Sequence, residues 1–366
     1  MSLSLDRQLA YLRLARTAHI GPVTYQRLLS VYGTPEDALA ALPELSSRGD
    51  AKRVIRPVSA AKVKKEYAAT QKLGGGYLFW GEAGYPAMLT PLPDAPPVLA
   101  AHGNTDLLDK PMVAIVGARN ASAAARKIST LLAEALSELQ LIIVSGLARG
   151  VDGAAHSASL AHGTVAVIGN GAAHSYPKDN ADLQAQIIAQ GLLLSENPPD
   201  MAPQASLFPR RNRIIAGLSH GVIIVEAARR SGSLITARLA AEYGREVFAV
   251  PGSPLDARCH GSNNLIRDGA TLTETADDVM RELRPLLDRR NLSAPDPRPF
   301  VEKRTPPDIN DADRQAIIDL LGPVPISVDE LIEQSETPVQ VVHLVLLELD
   351  LSGRLTQEPG GQISLI

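Results

Sequence analysis

Short apolar runs alternate with amphipathic segments through the middle of the chain. The runs are often β-branched and hold almost no polar side chain, while the polar residues fall on the segments between them. This pattern is typical of strands buried on both faces of a parallel sheet, with helices covering it. The predicted strands include Met112–Val116, Leu141–Ser145, Thr164–Ile168, Leu192–Leu194, Val222–Val225 and Val247–Val250. We therefore predict an α/β fold with a Rossmann-like, doubly wound, mostly parallel sheet over residues 73–287.

The first 72 residues have a different pattern, that of short helices joined by tight turns. Thr34 and Pro35 are typical of a helix start, since Thr caps the helix and Pro fits its first position. Gly21 and Pro22 predict a turn that resembles that of a helix-hairpin-helix. Residues 1–72 are thus predicted to form a small helical domain, SAM-like or helix-hairpin-helix-like, that ends before a run of three glycines.

The last part of the chain follows a Pro-rich, charged stretch, residues 288–305, which we interpret as a linker. Residues 306–366 then carry three helical patterns and a final hairpin around Pro359–Gly361. The helices are predicted at Asp313–Leu321, at Ser327–Gln334 and from Thr337 to Leu351. Three helices and a hairpin predict a winged-helix-like domain, a variant of the helix-turn-helix.

Composition excludes several classes of protein. The single Cys259 excludes an internal disulfide and a thiolate metal cluster. The sequence has no run of about 18 apolar residues, and the residues after Met1 do not form the apolar core of a secretory signal. We expect a cytoplasmic protein without membrane attachment.

Charge is distributed unevenly along the chain, whose net charge is −4. Residues 1–110 carry a net charge of +3, and residues 111–285 balance sixteen basic against sixteen acidic side chains. Residues 306–366 hold two arginines against eleven acids, a net charge of −9. The acidity therefore lies at one end, and the middle of the chain can still present a local basic site.

Four segments rich in small residues follow predicted strands. Ligands of doubly wound sheets lie beyond the carboxyl ends of the strands, where small residues let the backbone approach an anion. Helix N-termini direct free N–H groups at such an anion. For any one segment alone, an ordinary strand-to-helix turn remains the alternative. The candidate residues for binding an anion, such as the phosphates of DNA, are Gly117, Ala118, Arg119, Ser122, Gly146, Arg149, Gly150, Lys178, Ser231, Gly232 and Ser233.

The densest basic element opens a predicted helix at residues 208–218. Arginine guanidinium groups bind phosphate in a bidentate manner, and an aromatic ring can stack on a base. The alternative is a capped helix with solvated arginines, which we prefer for Arg210 taken alone. We predict DNA contacts for Phe208, Arg211, Asn212 and Arg213.

The sequence offers no convincing catalyst. Both the G-x-G-x-x-G fingerprint and the Walker pattern are absent, and Ser145 stands where a dinucleotide fold has a ribose-binding acid. His156 and His174 pair with no obvious nucleophile, and Asp152 is predicted to cap its helix or to orient Arg149. No His, Asp or Glu cluster has metal-ligand spacing. We predict no catalytic residue, no metal and no cofactor.

An ordered series of motifs from Gly117 to Ala270 resembles the DNA-processing protein A family, known as DprA or Smf. The blocks outside this region resemble the family's plan of a helical N-terminal and a winged-helix-like C-terminal domain. The motifs are Gly117–Arg119, Ser145–His156, Tyr176–Asn180, Gly191–Glu196, Phe208–Leu218, Val225–Ala227, Ser231–Ala237, Gly244–Gly252 and Asn264–Ala270.

The resemblance implies a protein of natural transformation, or competence. Such proteins bind and protect incoming single-stranded DNA, form a homodimer through the Rossmann-like domain, and help to load the RecA recombinase. The family's phosphate-binding Gly-Ser/Thr-Arg motif maps onto Gly117, Ala118 and Arg119, where Ala118 lacks the hydroxyl donor. Lys178 and the arginines of the basic helix carry over in the same way.

Two other functions are open to this sequence. One is a nucleotide-monophosphate-processing enzyme, which would need an acid–base pair. The other is a winged-helix transcription regulator, which would need Lys or Arg on its third helix, whereas that helix carries Glu348 and Asp350. Its many apolar residues exceed one buried stripe, so some are expected to be exposed or to meet another protein. We therefore predict a protein-contact or regulatory role for residues 306–366.

Overall fold

The computed structural model describes residues 3–47, 54–292, 309–357 and 362–365. The chain folds into two compact units, which are described separately. One combines residues 1–65 with residues 298–366, and the other is formed by residues 66–297. Within the described residues, no helix combines the length and the apolar run required to cross a membrane.

The five α-helices whose positions were predicted begin within two residues of the predicted start. Ser122 caps the helix that follows the first parallel strand, since its Oγ accepts from the backbone N of Ala125 at 3.0 Å. The helix that ends at Leu292 extends into the predicted linker 288–305, and the remainder of that segment lies outside the described residues. The helices are α1 Leu5–Ala15, α2 Pro22–Tyr32, α3 Pro35–Ser47, α4 Ala60–Lys72, α5 Ala123–Glu138, α6 Val151–Ser159, α7 Ala181–Gln190, α8 Leu207–Leu218, α9 Ser233–Glu242, α10 His260–Arg267, α11 Ala276–Leu292, α12 Asp311–Leu320, α13 Val328–Ser335 and α14 Val339–Ser352.

The strands form a nine-stranded sheet in the larger unit and a three-stranded sheet in the smaller one. Neighbours in the large sheet follow the order β1-β2-β6-β5-β4-β3-β7-β8-β9, and those in the small sheet the order β10-β12-β11. The strands are β1 Gly75–Phe79, β2 Val98–Gly103, β3 Met112–Gly117, β4 Ile142–Ser145, β5 Thr164–Ile168, β6 Leu192–Ser195, β7 Gly221–Val225, β8 Glu246–Ala249, β9 Thr271–Leu272, β10 Ile326–Ser327, β11 Leu355–Gln357 and β12 Gln362–Leu365.

The large sheet is parallel from β6 to β9, with β1 and β2 added antiparallel at one edge. Successive residues of β3 point to opposite faces, so Val116 joins one core cluster and Ile115 the other. Helices cover both faces, as the apolar strands require. The predicted α/β fold with a doubly wound, mostly parallel sheet is confirmed.

Chain connections reverse direction at β3, which lies between β4 and β7. The chain proceeds from β3 through β4 and β5 on one side, and resumes at β7 on the other. Loops that follow β3 and β7 therefore diverge and leave a crevice at the carboxyl edge of the sheet, where doubly wound folds bind ligands. Three of the four candidate segments follow β3, β4 and β7, and the fourth follows β5.

The smaller unit contains the predicted winged-helix elements. Strands β11 and β12 pair antiparallel, with Thr356 opposite Ser364, and β12 also pairs with β10. The predicted turn at Pro359–Gly361 lies outside the described residues. Ser327 caps α13 by accepting from the backbone N of Glu330 at 3.1 Å. Helices α12, α13 and α14 with this small sheet confirm the winged-helix-like fold.

Candidate nucleic-acid interface

A cleft of about 830 Å³ opens at the carboxyl edge of the large sheet. The loops after β3, β4 and β7, the start of α8 and the segment around Tyr176 contribute to its lining. Four arginines line it, namely Arg119, Arg211, Arg230 and Arg258, and Asp152 is the one acidic side chain among the described lining residues. The cleft is therefore electropositive and of the size that takes a small ligand or part of a polymer.

Two glycines bring the loops after β3 and β4 together. A Cβ at Gly117 would clash with the carbonyl oxygen of Val225 and would lie 2.8 Å from the Val151 side chain. Gly150 has a φ of +79°, and its Cβ would lie 2.6 Å from the carbonyl oxygen of Arg119. Both positions are therefore restricted to glycine by close backbone approach, and Gly150 also by its left-handed conformation.

Ser122 connects the loop after β3 to the loop after β7. Its hydroxyl donates to Oε2 of Glu226 at 2.5 Å, and its backbone N donates to Oε1 at 3.1 Å. Glu226 is buried and has a φ of +56°. Because the same hydroxyl caps α5, the geometry gives Ser122 a role in holding the crevice together. Its predicted contact with DNA stays a prediction.

An exposed cation and two aromatic rings form a stack at the mouth of the cleft. The guanidinium carbon of Arg119 lies 5.3 Å from the centroid of the Phe208 ring. The Phe208 and Tyr176 rings have centroids 5.3 Å apart and are tilted by 31°. Tyr176 is 43% exposed, so one of these rings is open to solvent. This cation–aromatic platform offers both a phosphate partner and a stacking surface.

Arg211 also lines the cleft but is buried, with 7% of the residue exposed. Its Nη1 donates to the carbonyl oxygen of Gly146 at 2.8 Å and to that of Val167. Burial lowers the pKa of Arg211 to about 10, and the charge of Asp152 opposes this shift. A Cβ on Gly146 would lie 2.5 Å from the guanidinium nitrogens, so glycine provides the space for it.

Asp152 holds the loop that follows β4. Its Oδ2 accepts from the backbone N of Gly146 at 3.1 Å and from that of Ala148 at 3.3 Å. Burial raises the pKa of Asp152, and Arg211 opposes the shift. Asp152 does not orient Arg149, as one alternative held, because Arg149 pairs with the exposed Asp179 at 2.7 Å.

The two histidines have structural partners. His156 is fully buried, and its Nδ1 lies 2.8 Å from the hydroxyl of Thr164. Burial lowers the pKa of His156 to about 3, so the ring is neutral near pH 7. His174 Nε2 lies 3.1 Å from the carbonyl oxygen of Asp200.

The other predicted residues of the basic helix also have partners within the fold. Arg213 Nη2 lies 2.5 Å from Oε1 of Glu196, and both side chains are largely buried. Asn212 Nδ2 donates to the carbonyl oxygen of Gly232 at 3.2 Å, which connects α8 to the serine turn. In that turn the hydroxyls of Ser231 and Ser233 lie 2.7 Å apart. Phosphate contacts by Arg211, Asn212 and Arg213 stay predictions.

Several residues that line the cleft were not predicted from the sequence, and six predicted residues lie outside its lining, namely Ser122, Gly146, Arg149, Gly150, Lys178 and Arg213. Tyr176, Arg230 and Arg258 all contribute to the lining, whereas Lys178 is exposed beside it. Arg230 directly precedes Ser231, and Tyr176 lies within the motif from which Lys178 was chosen, so both had a local signal. Arg258 pairs with Asp256 at 2.7 Å, and no local signal in the sequence indicated that it would line the cleft.

Fold and site together define a Rossmann-like α/β protein with an arginine-lined ligand cleft. Family models match nearly the whole chain in three consecutive parts. "DNA recombination-mediator protein A" matches residues 76–284, the "DprA-like N-terminal HHH domain" residues 6–69, and the "DprA winged helix domain" residues 301–361. The chain belongs to the DNA recombination-mediator protein A (DprA) family, which confirms the resemblance inferred from its motifs.

Individual relatives agree with this assignment. Protein Smf of Escherichia coli is 38% identical over 77% of this chain and 75% of its own length. Protein Smf of Synechocystis is 32% identical and covers 97% of this chain and 98% of its own length. The structure of DNA processing protein A from Streptococcus pneumoniae is 35% identical, with a TM-score of 0.63 over 77% of this chain and 99% of that one.

Proposed function

We propose that this chain binds single-stranded DNA in the arginine-lined cleft. The observation that carries the proposal is the Arg119–Phe208–Tyr176 stack at the mouth of an electropositive crevice. A solved relative supports it: the structure of DNA processing protein A from Helicobacter pylori, described by its single-stranded DNA binding mode, is 32% identical with a TM-score of 0.52. It covers 59% of this chain and 96% of that one.

Phosphates and bases would contact different parts of the cleft. Arg119 and Arg230 are exposed and supply full charge, while the backbone of the Gly117–Arg119 turn and the start of α9 supply N–H donors. Tyr176 and Phe208 would stack on a base. Sequence preference should be slight, because phosphate contacts carry no sequence information.

The larger role proposed for the chain follows from its family. It would protect incoming strands during natural transformation, act as a homodimer through the Rossmann-like domain, and help to load the RecA recombinase in the cytoplasm. Two pockets in one dimer would engage one strand and raise its avidity.

The roles of Asp152 and Glu226 in the fold favour a protein that binds DNA without catalysing a reaction. Two carboxylates at this edge accept hydrogen bonds from backbone N–H groups, Asp152 from Gly146 and Ala148, and Glu226 from Ser122. These hydrogen bonds assign the two carboxylates to holding the loops of the crevice. A nucleotide-processing enzyme would release a product from a nucleotide, whereas a binding protein returns its oligonucleotide unchanged.

The proposal is tested by titrating labelled oligo-dT with the Arg119→Ala variant. Loss of one charge-assisted contact should cost about 1–3 kcal/mol, or about five- to 150-fold in affinity. Arg238→Ala is the matched control, since Arg238 is exposed on α9, pairs with Glu242 and lies outside the cleft lining. Equal affinity for both folded variants would remove the turn after β3 from the DNA site.

A further inference from the structure

Helix α14, the third helix of the winged-helix domain, is buried on more than one side. Ten of its fourteen residues are buried. A winged helix that reads duplex DNA places its recognition helix in the major groove, which requires an exposed face. The surfaces that cover α14 therefore determine what this domain can bind.

One side of α14 packs into the core of its own domain. Val342, Val345 and Leu346 belong to a cluster with Ile317 of α12 and Leu331 of α13. This is the side that any winged helix buries. Leu344, Leu347 and Leu351 are equally buried, with 3%, 0% and 1% exposed, but lie outside that cluster.

The N-terminal helical domain covers the other side. Helix α14 packs against α2 and α3, within the same compact unit. Residues 1–65 and 298–366 of this unit carry net charges of +6 and −7, so the two parts are complementary. The excess of apolar residues on α14 is thus explained by two buried sides.

Polar contacts reinforce this packing. The hydroxyl of Thr24 in α2 donates to Oδ2 of Asp350 at 2.9 Å. Burial lowers the pKa of Arg27 in α2, and the charge of Asp350 opposes the shift. Glu348 is buried and accepts from Nε of Arg314 at 3.0 Å. Both acids of α14 therefore have protein partners.

We propose that α14 is a protein-docking helix whose partner is the N-terminal helical domain of the same chain. The two ends of the chain form one cooperative module, and the docked N-terminal helices withdraw α14 from duplex DNA. This inference does not depend on the DNA cleft, which belongs to the other unit.

Hydrogen exchange of the full-length protein tests the proposal. Thr24→Val removes the hydroxyl donor with little change in volume and leaves the Asp350 carboxylate without it. Although the substitution lies in α2, amide exchange in α14 should become at least three-fold faster. Asp350→Lys places a like charge beside Arg27, and exchange in both α2 and α14 should rise at least ten-fold. Glu333→Lys, an equal charge change at an exposed position of α13, should leave both helices within two-fold of the wild type.

Exchange in α2 that rises without any change in α14 would overturn the docking proposal. A second measurement adds a blunt 20-base-pair duplex to the wild-type protein. Unchanged exchange in α14 is expected because that helix is already covered. Protection of α14 by the duplex would assign it to DNA and would also overturn the proposal, whatever the behaviour of the variants. Neither result depends on oligo-dT binding, so failure here is distinguishable from failure of the proposed function.

Discussion

Replacement of Arg211 by methionine separates a structural arginine from a DNA-binding one. The substitution keeps an unbranched side chain of similar length but removes the donors to the carbonyl groups of Gly146 and Val167. A buried acceptor left without a partner costs about 1–3 kcal/mol, and the apolar methionine offsets part of this. Two such acceptors lead us to expect a loss of about 2–4 kcal/mol in the free energy of unfolding.

Thermal unfolding can measure this loss of stability in the unit that contains Arg211. The single tryptophan, Trp80, lies in the unit formed by residues 66–297, so its fluorescence reports on that unit. For a unit of this size about 2–4 °C is lost per kcal/mol, which gives a decrease of about 4–16 °C for Arg211→Met. Arg119→Met, at an exposed site over Phe208, should change the melting temperature by less than about 2 °C.

For oligo-dT affinity the order of the two variants is reversed, with the larger effect expected for Arg119→Met. Arg119→Met should weaken binding and reduce the log–log salt slope by about 0.7, the value for one phosphate contact on a single strand. Arg211→Met, measured well below its melting temperature, should keep the slope of the wild type. An unchanged melting temperature together with a reduced slope in Arg211→Met would refute this reasoning and make Arg211 a phosphate ligand.

Three further results are expected. Because the pKa of His156 is about 3 when folded and near 6.5 when unfolded, the unfolded state binds more protons below pH 6.5. The free energy of unfolding of the wild type should therefore fall as pH falls. Measured with urea between pH 7 and 5, the free energy of unfolding of His156→Gln should fall by up to about 2 kcal/mol less than that of the wild type. Phe208→Leu should weaken oligo-dT binding by about 1–3 kcal/mol without changing the salt slope, whereas an equal affinity would exclude base stacking there. A chain ending at Arg290 should keep its affinity for single-stranded DNA. It should bind more hydrophobic dye than a chain that also lacks residues 1–65, because without α14 the apolar surfaces of α2 and α3 are exposed.

The parallel sheet was predictable because its signal is local. Runs such as Thr164–Ile168 are apolar at every position, and only a strand covered on both faces buries all of them. The positions of the ligand loops followed, since the carboxyl ends of parallel strands lie at one edge. Gly117 and Gly150 could be named for the same reason, although the backbone contact that excludes a side chain at each is visible only in three dimensions.

Which arginines are buried in the fold and which are exposed in the cleft was not predictable from the sequence. In the sequence Arg211 and Arg213 form the densest basic element, and Arg119 is a single cation in a small-residue turn. Their environments depend on the carbonyl groups of Gly146 and Val167 and on Glu196, which are distant in sequence. Tyr176 meets Phe208 across a similar separation. Local composition indicates that a segment is basic, but burial decides whether its charge reaches a ligand.

The two acids of the third helix contact partners that the sequence did not indicate. In the sequence, Glu348 and Asp350 lie on a helix that would need Lys or Arg in order to read DNA. In the structure Glu348 meets Arg314 and Asp350 meets Thr24, so both are used inside the protein. We propose that α2 and α3, which pack against this helix, keep it from duplex DNA. The opposite net charges of residues 1–65 and 298–366 favour this contact between the two ends of the chain.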